Sequence, residues 1–339
     1  MDSLTHIIIG SATGQVMLGN KEGNKALLWG AIAANIPDFD SAITSLFSPA
    51  SAVLVHRGFS HSILFALAVS PILGLIAAKL FKSANKWQWI GLTLTAILSH
   101  IAIDCFNTYG TGIFEPFSNI RVAYDTMPIV DLMLLVPILI VMSIALFFKA
   151  KSKTRTVFSS IVIVFTVAYV GYSILVKHAI ESRVKQSLIS EEIDHSRFLT
   201  APLPITNLIW LAVAEDNEGF YYSYISLKDN KIASWHYLRK NHQLLEDYSK
   251  SDEVKKLQRF TKGFYTVNSK GDTIVLNDLR FGGMDIKSDN WFVFSFKIWG
   301  NNKEPHISRS HPNRKMSSEN MKLYWQRIKE PKKSLNEKY

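Results

Sequence analysis

Hydrophobic and polar positions are divided very unevenly along this chain. Four long apolar runs dominate its first half, at residues 63–81, 87–103, 128–148 and 156–176. Each is close to the ~20 residues that a helix needs to cross the hydrocarbon core of a bilayer. Lys82 and Lys86 separate the first two runs, and Lys149, Lys151, Lys153 and Arg155 separate the last two. Trp87, Trp89 and Tyr172 lie near run ends, where amphipathic rings favour the membrane–water interface. Two shorter apolar segments come first, at residues 4–18 and 26–36, joined by a polar turn at 19–25. They are marginal as spans and predict a helical hairpin packed against the bundle. After Val176 the pattern changes. Residues 220–227, 273–277 and 291–299 are aromatic, partly alternating and read as strands. Residues 251–260 read as a short amphipathic helix. The predicted architecture is an all-α membrane helical bundle followed by a soluble α+β, mostly antiparallel domain. Its divisions are a helical membrane-embedded domain at 1–177, an extramembrane domain at 178–300 and a polar basic tail at 301–339.

Composition sharpens this division. The 339 residues are 47% hydrophobic and 19% charged, with mean hydropathy +0.08 and net charge +10. An average soluble protein has roughly 25% charged residues. A disordered chain, a collagen-like chain and a disulfide scaffold are all excluded. Cys105, the single cysteine, excludes an internal disulfide and a multi-cysteine zinc site. Residues 1–177 hold 12 Lys and Arg against 8 Asp and Glu, whereas residues 178–339 hold 26 against 20. Asp2 stands where a signal peptide would carry cationic residues, so the first segment is expected to remain in the mature protein. The positive-inside rule places the lysine-rich loops at 79–86 and 149–155 in the cytoplasm. The intervening loops and the C-terminal half then face the other side of a bacterial inner membrane. A solvated tail is expected at 301–339, with anionic lipid headgroups as the alternative for residues 329–333. No nucleic-acid motif accompanies the positive charge.

The candidate chemistry lies where charge should be scarce. Asp2 and His6, Asp38 and Asp40, His56 and His61, and His100 and Asp104 form four short clusters. All fall at the predicted non-cytoplasmic helix ends. The topology rests on Lys and Arg and the clusters on His and Asp, so their agreement is independent. His100 and Asp104 are four apart, one helical turn on one face. Asp2 and His6 share that spacing. Asp38 follows Pro37, which should end the second helix and leave the carboxylate on a loop. Imidazole and carboxylate without thiolate suit Zn²⁺, Mn²⁺ or Fe. The number of such groups exceeds the needs of one tetrahedral ion, and a carboxylate shared by two ions is usual equipment for phosphate-ester hydrolysis.

Plainer roles compete at several positions. Single intramembrane His or Asp residues often serve in helix packing. Asp40 and Asp131 also read as helix caps. His56 fits a substrate-facing or ligand-supporting role better than a ligand. Glu115 and Asp125 lie on a loop that would be polar anyway, and residues 107–112 read first as a turn that could also line the site. His195, His236, His242, His306 and His311 are scattered without ligand spacing.

The strings MDSLTH, GAIAANIPDFD, HRGFSHS and SHIAIDCFNTYGTGIFEPFS together resemble the bacterial family described as LexA-binding, inner-membrane-associated metal-dependent hydrolases. The likeness covers about residues 1–150, and the C-terminal half resembles the extra domain of longer members. A more distant resemblance is to the zinc-dependent phospholipase C and P1 nuclease superfamily. It implies that His100 and Asp104 form a His-x-x-x-Asp pair whose Asp bridges two ions, with Asp38, His61 and His6 as further ligands. The later His and Glu ligands of that superfamily have no counterpart here. The expected site therefore has Asp38, His61, His100 and Asp104 around one ion, with Asp104, His6 and Asp2 around a second. Asp40 is expected to act as base or to orient water, and Arg57 or Arg121 to meet an anionic substrate. The expectation is a hydrolase of a phosphoester or lipid-like envelope substrate. The alternatives are a metal-binding or transport protein without hydrolysis, and a non-catalytic scaffold that binds a protein partner.

Overall fold

Small residues set the first packing step of the helical half. Helices α1 (Ser3–Glu22) and α2 (Asn24–Asn35) form the expected hairpin. They belong to a computed structural model that describes residues 1–82, 84–229, 235–282, 292–310, 322, 324–326 and 328. The turn between them shrinks to Gly23, whose φ of 58° suits a residue without Cβ. A Cβ on Gly10 would lie 2.3 Å from the Gly30 carbonyl oxygen, and one on Gly14 would lie 2.0 Å from that of Ala26. The two helices therefore meet backbone to backbone, as small residues four apart allow.

Two 3₁₀ turns, Pro37–Phe39 and Phe59–His61, flank the short helices α3 (Asp40–Ile43) and α4 (Pro49–Val55). A second hairpin follows, of α5 (Ile63–Phe81) and α6 (Lys86–Asp104). Asn85 and Gln88 close a capping box at the start of α6. Trp89, Leu92, Ala96 and Ile97 are fully buried along it, and the Trp29 Nε1–H donates to Thr93 Oγ1 at 2.9 Å. Then come α7 (Leu132–Leu146) and α8 (Lys153–Ser190). Asp131 caps α7 by accepting from the Met133 N–H at 3.0 Å, and it accepts the Tyr169 hydroxyl of α8 at 2.6 Å. Its role is the cap.

Among the described residues two helices, α5 and α8, are long and apolar enough to cross a membrane. Only 22% of the apolar window of α5 and 33% of that of α8 are buried within the protein. Leu67, Ile72 and Leu80 on α5, and Val164, Val167 and Leu175 on α8, are more than half exposed. The expectation of four spans is thus reduced. In α6 the polar Gln88, Thr93, Thr95, Ser99 and His100 interrupt the apolar run, and Thr93 and His100 among them face the interior. In α7 the cap at Asp131 delays the start, leaving 15 residues. At 1.5 Å per residue that is about 22 Å, short of the ~30 Å core.

The residues form two compact units, Met1–Thr44 with Val55–Ser173, and Ser45–Leu54 with Ile174–Tyr339. α8 runs unbroken past the compositional change at Val176. The second unit carries two four-stranded antiparallel sheets, each a simple meander. The first holds β1 (Arg197–Pro202), β2 (Ile209–Glu215), β3 (Gly219–Ser226) and β4 (His236–Arg239). The second follows α9 (Asp252–Phe260) and holds β5 (Tyr265–Lys270), β6 (Thr273–Asp278), β7 (Ser295–Trp299) and β8 (His306–Ser310). Strand β2 is buried on both faces. Trp210, Ala212 and Ala214 pack with Ile180, Val184 and Leu188 of α8, while Ile209, Leu211 and Val213 join Phe220 and Phe264. Residues 301–339 are not simply a solvated tail. They supply β8, and Tyr324 and Ile328 are buried in the core of the domain. The basic residues at 329–333, together with Trp291 and His311, lie outside the described residues.

Candidate metal centre

Four side chains from three segments converge at one end of the helical unit. Asp38 comes from the 3₁₀ turn after α2, His61 from the 3₁₀ turn before α5, and His100 and Asp104 from the last turns of α6. One ligand atom from each lies within 4.8 Å of the others, so the group could hold a metal ion. His61 Nε2 lies 3.0 Å from His100 Nε2, 3.4 Å from Asp104 Oδ2 and 3.5 Å from Asp38 Oδ1. His100 Nε2 lies 3.5 Å from Asp104 Oδ2 and 3.6 Å from Asp38 Oδ1. Donors about 2.0–2.1 Å from one tetrahedral ion stand about 3.3–3.4 Å apart. The observed edges bracket that spacing.

The outer nitrogens fix the inner ones. His100 Nδ1 lies 2.6 Å from the Ala34 carbonyl oxygen, one of the orphan acceptors at the end of α2. A carbonyl only accepts, so Nδ1 carries the proton and Nε2 of the neutral ring points a lone pair inward. His61 Nδ1 faces Ser60 Oγ at 2.9 Å and Asp40 Oδ2 at 3.3 Å. The Ser60 hydroxyl donates to Asp40 at 2.6 Å, so Nδ1 of His61 must donate as well. Two imidazole lone pairs and two carboxylate oxygens thus point at one place. Asp104 Oδ2 accepts no hydrogen bond, and its charge is balanced by the Arg57 guanidinium, whose Nε lies 3.2 Å away.

Electrostatics agree with that geometry. Burial alone would lower the pKa of His61, but hydrogen bonds to Asp104, Asp38 and Asp40 outweigh it and raise the value to about 9. Burial opposes ionisation of Asp38 and Asp40 as well. The His61 contact holds the Asp38 carboxyl well below the usual range, and His56 and His61 do the same for Asp40. Without an ion, a proton on His61 Nε2 occupies the place a cation would take.

The remaining candidates take distinct positions. His6 is buried beside the group, its ring stacked on His100 at 3.7 Å and its Nε2 3.4 Å from Asp104 Oδ1. The amino group of Met1 donates to the same oxygen. Asp2 does not reach inward. Both its oxygens accept from Thr5, at 2.9 Å from the backbone N–H and 2.6 Å from the hydroxyl, which makes it the N-cap of α1. Asp40 caps no helix and does not face the cluster as a base. Its oxygens accept from His56 Nδ1 at 2.7 Å, the Arg57 N–H at 3.0 Å and Ser60, behind His61. His56 accordingly lies outside the four-residue group. Arg57 is buried, with φ 61°, and its Nε lies 3.2 Å from Asp104 Oδ2. Its Nη1 donates to Asn107 Oδ1 at 2.6 Å. Arg121 is committed elsewhere, donating to the carbonyls of His56 at 2.8 Å and Gly110 at 2.9 Å. Glu115 faces Arg121 at 4.0 Å. Asn107, in the turn that could also line the site, supports Asp104 through Nδ2 at 3.4 Å.

Comparison with known proteins locates the chain. The YdjM inner membrane protein family matches residues 1–179, more than half of the sequence and all four residues of the candidate metal centre. The chain belongs to this family. YfhP of Bacillus subtilis (strain 168), itself uncharacterized, is 30% identical over 207 residues, which is 57% of this chain. The chain spans 60% of YfhP's length. The inner membrane protein YbcI of Escherichia coli (strain K12) is 31% identical over 132 residues, 35% of this chain and 75% of that protein. No solved structure matches. These descriptions carry a location and not an activity.

Proposed function

We propose that this member of the YdjM family is a membrane-bound, metal-dependent hydrolase acting on a phosphoester or related ester bond. The observation that carries the reading is the inward convergence of His61 Nε2, His100 Nε2, Asp38 Oδ1 and Asp104 Oδ2, with outer hydrogen bonds fixing both rings. Two nitrogens and two oxygens at near-tetrahedral spacing favour zinc, with Mn²⁺ and Fe sharing the donor types. A second ion at Asp104 Oδ1 beside His6 Nε2 would have to displace the Met1 amino group, which donates to that oxygen. Bound there, such ions would supply Lewis acidity and lower the pKa of water toward neutrality. In this reading Asp40 orients His61, Asn107 steadies Asp104, and the Arg57 guanidinium stands beside the centre to meet an anionic group.

The proposed setting is the inner membrane, with several helices in the bilayer. The metal centre and C-terminal domain are on the non-cytoplasmic side. Lys21 and Lys25, Lys82 and Lys86, and Lys149, Lys151 and Lys153 all lie at the helix ends opposite the cluster, which supports that orientation. A transport role draws no support, because the ligands gather at one end instead of lining a path. The deciding experiment is metal analysis of detergent-purified wild type against the His61→Ala/His100→Ala variant, followed by turnover on a panel of phosphodiesters. Stoichiometric metal in the wild type, lost with activity in the variant, is expected. Equal metal and equal turnover in both would sink the reading.

A further inference from the structure

The metal centre has one visible side. The side chains of His61, His100 and Asp104 are fully buried, whereas Asp38 is 16% exposed. Whatever reaches the centre arrives past Asp38. The neighbouring surface is apolar. Phe39, the residue after Asp38, is 63% exposed, and Ile43, one turn further on, is 47% exposed. Phe59, at the head of the His61 turn, is also exposed. The 112–120 loop is bonded directly to that turn: Gly112 N–H donates to the Arg57 carbonyl at 2.8 Å, and Ile63 N–H donates to the Ile113 carbonyl at 3.0 Å. Its Phe114, Phe117 and Ile120 are exposed, Phe117 by 83%.

Cationic side chains are missing from this rim. In residues 37–47, 56–67 and 112–124, Arg57, Arg121 and Asp40 are buried, and Asp38 and Glu115, 16% and 20% exposed, are carboxylates. A site for a freely dissolved anion would be expected to show cationic side chains at its entrance. The rim instead continues the outward face of α5. Ile63 and Leu67, four apart on α5, are exposed, and so is Phe59 in the 3₁₀ turn just before the Ser62 cap of that helix. α5 is itself one of the two helices fit to cross a bilayer.

We infer that the rim around Asp38 enters the interfacial layer of the membrane, so that the centre receives its substrate from the bilayer. The substrate class is then an amphiphile with a polar ester head and a hydrocarbon tail, whose tail stays beside Phe39, Phe59 and Phe117. The substrate half of this inference rests on the hydrolase reading, whereas the bilayer contact stands on the exposed rim alone.

Two measurements separate them. Nitroxide labels at Phe117→Cys and Ile120→Cys, in full-length protein in phosphatidylethanolamine/phosphatidylglycerol vesicles, report accessibility to oxygen and to a water-soluble nickel chelate. The buried Cys105 supplies the unlabelled background, and Asp252→Cys on the exposed start of α9 supplies the aqueous reference. The rim labels should show an oxygen-to-chelate ratio several-fold above the reference. A ratio equal to that of Asp252→Cys overturns the bilayer contact. In the same vesicles, zinc-loaded protein should hydrolyse a fluorogenic phospholipid diester several-fold faster than bis-p-nitrophenyl phosphate. Faster turnover of the soluble ester overturns lipid access while leaving the hydrolase intact. No turnover of either ester counts against the hydrolase and removes the substrate half, and the label ratios still decide the contact.

Discussion

His61 and His100 face each other through their Nε2 atoms at 3.0 Å, while each ring is held from behind through Nδ1. Two neutral imidazoles so arranged would set lone pair against lone pair. A proton or a cation must therefore stand between them, with Asp38 and Asp104 supplying the balancing charge.

That competition makes ion uptake depend on pH. The raised pKa of His61, about 9, keeps the ion-free ring charged at neutrality. An incoming cation must displace this proton. Zinc affinity of the purified protein should therefore climb by roughly tenfold per pH unit below pH 9 and level off above it. Competitive titration against a chelator at several pH values checks this, and a flat profile between pH 7 and 9 would contradict it.

Asp40 offers a test of support behind a ligand. Asp40→Asn keeps the volume of the side chain but removes the charge that polarises His61. Partners of this kind are typically worth 10–100-fold in metal affinity, and we expect about that loss, with membrane insertion unchanged. Zinc affinity at the level of wild type would show that Ser60 alone suffices to hold the ring.

The helical hairpin is tested at Gly30, where a Cβ would fall 2.1 Å from the Gly10 carbonyl oxygen. Gly30→Leu must push α1 and α2 apart. Overpacking of this sort costs about 1–3 kcal/mol or more, and because α1 carries His6 and α2 leads to Asp38, bound metal should fall with it. Unfolding in a detergent titration, read beside metal content, reports both effects.

The C-terminal domain has its own acid sensitivity. Burial works against ionisation of Glu215, but hydrogen bonds from Lys240 and Arg197 prevail and hold its pKa below the ordinary 4.5. Its contribution to stability is therefore present above that value and is lost as pH falls through the depressed pKa. Thermal scans of full-length protein from pH 7 to pH 3 should show a smaller acid loss in Glu215→Gln than in the wild type.

The His/Asp cluster was legible because ionisable residues are rare in an apolar half, so His61, His100 and Asp104 stand out against their surroundings. Helical spacing then joined His100 to Asp104 without any knowledge of the fold. Asp38 and Asp40 were not separable in the same way. They lie two residues apart in one loop, and only the 3₁₀ turn Pro37–Phe39 decides that the first meets His61 Nε2 while the second goes behind the ring to Nδ1. Asp2 was misread for a similar reason. Four-residue spacing to His6 is real, but Asp2 caps α1 and both its carboxylate oxygens accept from Thr5. Strand β2 escaped notice because both its faces are buried, which removes the alternation that marks a strand. The glycines at 10, 14 and 30 carry a readable small-residue pattern of their own, which marks close helix packing and no chemistry.

The seam between α1 and α2 has a consequence for how this protein can change over time. Main chain rests on main chain there, so no rotamer can swing and no bulky replacement can adjust the fit. The span from the imidazole at the head of α1 to the carboxylate just past α2 is set by how closely two backbones can approach. Relatives are then free to exchange nearly every outward residue of both helices and still deliver the same two groups to the same spot.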